Sequence, residues 1–73
     1  MSILKEESKK FLTSLIESVN KIEKDVGSIS IPEYEIRRKA VDCLELINVL
    51  SDRQTEERIR EITEIIKTKL TNK

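Results

Sequence analysis

Histidine and tryptophan are absent from this 73-residue chain, and Cys43, Gly27, Pro32, Tyr34 and Phe11 are each the single residue of their type. One cysteine cannot close a disulfide within the chain. Without histidine or a second thiol, a zinc site lacks its usual ligands, and Cys43 has no imidazole to activate it. Two isolated aromatics make no stacking platform for single-stranded nucleic acid. Neither sign of charge is in excess: 14 basic residues balance 14 acidic ones, so no global field draws in a polyanion or an anionic lipid surface. Long apolar runs are missing as well. The N-terminal MSILKEESKKFL contains no uninterrupted apolar stretch of the signal-peptide kind, and no segment approaches the length that crosses a bilayer. The expectation is a soluble, cytoplasmic protein with no membrane partner. Alanine occurs only as Ala40 while isoleucine, lysine and glutamate abound, a bias that suits an AT-rich or thermophilic genome, archaea and their viruses or plasmids included.

What is present is helical periodicity. A chain this short supports one domain, residues 1–73, whose core stabilises the fold by only about 3–5 kcal/mol, so good helix packing or association must supply the rest. Leu4, Phe11, Leu12, Leu15, Val19, Ile22 and Val26 recur at three- and four-residue steps and form one stripe, with Ile16 at its edge and Ile3 off it. Gly27 suits the left-handed position that closes such a helix. Ser30-Ile31-Pro32-Glu33 then reads as a capping box, with Pro32 tolerated in a first turn and Ile29 and Tyr34 at the two staple positions.

The most apolar stretch, Ala40–Leu50, is interrupted only by Asp42, Glu45 and Asn48. On a helix, most of it becomes one broad arc in which Ile36, Ala40, Cys43, Ile47 and Leu50 share a face flanked by Leu44 and Leu46. A third stripe holds Ile59, Ile62, Ile65, Ile66 and Leu70. Heptads carried forward from Ile36, Cys43 and Leu50 would meet Glu57 and Glu64, so the second and third stripes belong to different helices. The break falls near Ser51–Thr55, where Ser51, Asp52 and Thr55 are all capable N-caps. The fold expected is all-α, an antiparallel three-helix bundle with helices over 2–26, 32–51 and 55–71.

Candidate sites are few. Cys43 lies in a core stripe and reads as a small buried hydrophobe. Phe11 reads as core. Tyr34 suits a partner anchor and a staple equally well. Arg53, Arg60 and Lys67 make a row on helix 3, and Arg37 and Arg38 begin helix 2 beside Lys39; these are the candidate phosphate contacts. Glu56, Glu57, Glu64, Glu35 and Asp42 are interleaved with them, which opposes a polyanion and suits pairs such as Glu35 with Lys39 and Glu56 with Arg60. The carboxylates sit beside lysine or arginine on helix exteriors, so no catalytic, cofactor-binding or metal-binding residue and no small-molecule substrate is expected. Apolar residues left outside the stripes, Ile29, Ile31, Val41 and Val49, together with Tyr34, are the candidate protein interface.

The segment Ile31–Ala40, IPEYEIRRKA, resembles the proline-led, Ile-Arg-Arg-containing helix start of a family of small archaeal helical proteins, some of which are accessory subunits of a B-family DNA polymerase. The resemblance covers this segment alone; the spacing from proline to Ile-Arg-Arg is one residue longer here, and the family's second proline-led helix is missing. It implies a partner in replication machinery. From the residues themselves, the expected function is a non-enzymatic protein–protein interaction module: a subunit, adaptor or inhibitor of a larger assembly, or a homodimer. The alternative is a nucleic-acid-associated protein of an archaeal, viral or plasmid genome.

Overall fold

Gly27 turns the chain out of its first helix. The computed structural model describes the backbone of residues 3–71 and the side chains of residues 4–69. In it α1 spans Ile3–Val26, and the Gly27 N–H donates to the Glu23 carbonyl at 2.7 Å with φ at +91°. The expected first residue of helix 1, Ser2, and the side chains of Ile3 and Leu70 lie outside the described residues. A Cβ on Gly27 would meet nothing within 4 Å, so the demand there is for backbone conformation and not for space. Gly27→Ala should therefore cost about 1 kcal/mol, seen as a lower urea midpoint with an unchanged slope. A midpoint equal to that of the parent would contradict the role assigned to the left-handed turn.

Three residues later the capping box forms as the Ser30-x-x-Glu33 spacing requires. The Glu33 amide donates to the Ser30 hydroxyl at 3.3 Å, and the Ser30 amide and hydroxyl both donate to a Glu33 carboxylate oxygen at 2.9 Å. These bonds satisfy amides that have no intrahelical acceptor and start α2, which runs Ile31–Leu46.

The end of α2 corrects the expected boundary at residue 51. After Leu46 the chain enters a turn in which Ile47 N–H reaches only the Leu44 carbonyl at 3.4 Å, while the Val49 and Leu50 amides both reach Leu46 at 2.9 and 3.0 Å. Ile47 and Leu50 stay buried through this turn, so apolar spacing continues where helix does not. The start of helix 3 also moves, from residue 55 to Asp52: α3 spans Asp52–Thr71. Its cap is Ser51. The Gln54 amide donates to the Ser51 hydroxyl at 3.1 Å and the Ser51 amide donates to the Gln54 side-chain oxygen at 3.0 Å, a second capping box. Thr55 is one turn inside the helix, fully buried, its hydroxyl donating to the Ser51 carbonyl at 2.9 Å.

The three helices are all in mutual contact, α1 packing most against α2 and least against α3. Leu12 and Val19 of α1, Ile36, Ala40 and Cys43 of α2, Ile47 and Leu50 of the turn and Ile62 of α3 make the core. Ala40, the only alanine, is wholly buried, which lets neighbouring helices approach α2 closely. Ion pairs tie helix to helix at 2.8 Å for Arg37–Glu23, 3.8 Å for Lys39–Glu61 and 2.8 Å for Lys69–Glu33. The first joins the start of α2 to the end of α1, and the last joins it to the end of α3. Both fit an antiparallel order along the chain. Lys39 thus faces Glu61 across helices instead of Glu35 along its own.

Candidate interaction surfaces

The α1 stripe is wider than one neighbouring helix can cover. Two adjacent apolar pairs, Phe11 beside Leu12 and Leu15 beside Ile16, spread it over two flanks, because successive residues are about 100° apart round a helix. Arg37 reaches Glu23 at 2.8 Å and Asn20 at 2.8 Å, so that side of α1 faces α2. Leu12 and Val19, both buried, form the middle of the stripe. Leu4, Phe11, Leu15 and Ile22 lie on the other flank, about 100° round from Glu23 and turned away from α2; α3, the remaining neighbour, packs against α1 less than α2 does. Leu15 is half-buried, while Leu4, Phe11 and Ile22 remain 36%, 37% and 37% exposed. Phe11 therefore departs from its expected place in the core: it borders the core and leaves part of its ring in solvent. This flank is a half-covered apolar strip that the candidate residues read from sequence did not include. The adjacent apolar pairs were its signal.

Those candidate residues are scattered. Ile29 packs against the core. Ile31 and Tyr34 are exposed in the first turn of α2, and Val41 is half-buried further along it. Val49 is not on α2 at all; it is 79% exposed in the following turn. The 16 residues of α2 rise about 24 Å, so Ile31 and Val49 belong to opposite ends of the molecule.

Each of the five candidate phosphate contacts already faces a carboxylate. Arg53 lies 3.3 Å from Glu57, Arg60 3.5 Å from Glu56, Lys67 4.0 Å from Glu64 and Arg38 3.5 Å from Asp42. Arg37 holds Glu23, whose carboxyl is pushed below its usual range first by that hydrogen bond and then by the guanidinium charge. The Tyr34 phenol and Asp42 lock Arg38 in its charged form. A phosphate approaching any of these would meet the neighbouring negative charge as well.

The Cys43 thiol is buried and its pKa is pushed up, desolvation outweighing the opposing charge of Arg58, so it stays protonated. Glu33 is buried yet firmly ionised: the Lys69 ammonium at 2.8 Å, then the Ser30 amide, then the Ser30 hydroxyl hold its pKa at about 2. Such a carboxylate has no proton to give at neutral pH. An open groove of about 510 Å³ separates the start of α2 from the end of α3, lined by Ser30, Pro32, Glu35, Glu64, Ile65 and Lys69. Its lysine is paired with Glu33, and its Ser30 hydroxyl donates to the same carboxylate. Among the described residues no group of three or more histidine, cysteine, aspartate or glutamate side chains is placed to hold a metal ion, and no helix is long and apolar enough to cross a membrane.

The class that fold and surface define is a small three-helix bundle with a half-covered apolar flank on its first helix. Compared with known proteins, the chain matches no protein-family model, no curated protein and no solved structure.

Proposed function

We propose that this chain is a non-enzymatic helical interaction module, acting as a subunit or adaptor by binding another protein through α1. The observation that carries this reading is the strip Leu4–Phe11–Leu15–Ile22, which runs along α1 for some five turns without being closed over by α3. Single exposed apolar residues are ordinary, but a row of them aligned on one helix flank and adjoining the core has the form of a groove edge awaiting a helix. The paired arginines and the protonated thiol supply no competing reading.

A photoreactive residue placed at position 11 of the full chain in its native host tests this. The expected result is a covalent adduct with one protein, whether another copy or a different chain, which is lost when unmodified chain is added in excess. The same residue at Glu57, on the far side of α3 among paired charges, should give none. Absence of a competable adduct at position 11 overturns the reading.

A further inference from the structure

The strip on α1 has an internal symmetry that says what covers it. Its four residues are spaced seven, four and seven apart. Reversed about Thr13, Leu4 exchanges with Ile22 and Phe11 with Leu15, so the strip is its own complement when two copies run antiparallel. The row that borders it on the solvent side carries Glu7, Ser14 and Lys21, all exposed and also seven apart. Reversed about Ser14, Glu7 falls opposite Lys21 and the small serine faces itself. The midpoint of the apolar strip falls at residue 13 and that of the charged row at residue 14, about 1.5 Å apart along the helix, so an axis at this level serves both to within that offset. Neither Glu7 nor Lys21 takes part in an ion pair among the described residues, which leaves both charges available across an interface.

We infer that α1 docks antiparallel on α1 of a second copy of this chain, about a twofold axis that crosses the strip at the level of residues 13 and 14 along the helix. A symmetric dimer buries the same patch on both subunits, and each contact occurs twice. Phe11 packs against the partner's Leu15, Leu4 against the partner's Ile22, and Glu7 meets the partner's Lys21 at each end. The shared flank from Leu4 to Ile22 is about 27 Å long at the rise of an α-helix. A contact made chiefly by one flank of one helix is small, so the association is weak and concentration-dependent.

The inference rests on the interaction reading above and names its partner. Sedimentation equilibrium of the full chain, between about 1 µM and about 1 mM, tests it, the span in which weak interfaces titrate. The expected result is a mass that climbs from 8.5 kDa toward twice that value. Phe11→Lys should hold the mass at the monomer value with helicity intact. Because that position borders the core, the exposed charges give the sharper test. Glu7→Lys sets like charges together at both ends and should weaken association roughly tenfold, while Glu7→Lys combined with Lys21→Glu should restore it. Within one chain these residues are about 21 Å apart along α1, so no intramolecular contact explains such a rescue. A mass that stays monomeric throughout overturns the dimer, and a hetero-adduct at position 11 would then leave the broader reading standing. A mass that rises but ignores both charge variants overturns this surface and this orientation.

Discussion

Ile47→Asp is expected to abolish folding: far-UV circular dichroism of the variant at neutral pH should show an unfolded chain, with no cooperative urea transition. Ile47 is only 1% exposed and caps α2 at the point where the turn begins. The cluster it belongs to is apolar, built of Leu12, Cys43, Leu50 and their like. Burying an unpaired charge costs several kcal/mol, and the isoleucine contacts are lost as well. Against a core that stabilises a chain of this size by about 3–5 kcal/mol, that sum leaves nothing. Val49→Lys, two residues on, is the matched control. Val49 points into solvent, and its replacement should leave the unfolding free energy from urea titration within about 0.5 kcal/mol of the parent. A folded Ile47→Asp protein, or an unfolded Val49→Lys one, would refute the placement of this turn.

The second large effect concerns acid. Glu33 has a folded-state pKa of about 2 against an ordinary 4.5, held down first by Lys69 and then by the Ser30 amide and hydroxyl. A depressed carboxylate contributes stability that is fully present above its unfolded pKa and is lost as pH falls through the folded value. The fold should therefore weaken progressively from about pH 4.5 down to about pH 2, a window fixed by these two values. Glu33→Gln keeps the shape of the capping box but removes the charge. It should cost about 1–2 kcal/mol at pH 7, the range for hydrogen bonds to charged groups, with the exposed Lys69 placing it toward the lower end. The variant should also lose much of the acid dependence between those pH values. Urea titrations at pH 7, 4.5 and 3 of parent and variant measure both effects. Parallel curves, with the gap between the two proteins unchanged at pH 3, would show that the ion pair with Lys69 contributes nothing.

What could be read from the sequence, and what could not, divides by distance along the chain. The Ser30–Glu33 box and the Gly27 turn are local, set by short spacings, and form where those spacings put them, and each of the three stripes marks a helix. Ser51-x-x-Gln54 has the same three-residue spacing as the first box and was equally readable; three adjacent polar residues able to cap obscured which one does. Helix 2 overran its true end because Ile47 and Leu50 keep the apolar step through a turn that needs neither glycine nor proline. The placement of Phe11 failed for another reason: periodicity tells which residues share a stripe, not how much of its width two neighbours can cover. The Glu33–Lys69 pair, 36 residues apart, has no trace in any local pattern. Even so, the open flank was foreshadowed by the doubled apolar positions at 11–12 and 15–16.

The three ties between helices, Arg37–Glu23, Lys39–Glu61 and Lys69–Glu33, each have one end on α2. The bundle is thus two helical hairpins that share a side, each closed by a short connection with its own capping box. Most contacts lie between neighbours in the chain, which is the low-contact-order regime in which folding is fast. α2 is then the template on which either hairpin can begin, and α1 and α3 are clamped to it rather than to each other. The thinnest packing in the bundle is therefore the seam between its first and last helices, the same seam along which α1 leaves its apolar flank uncovered.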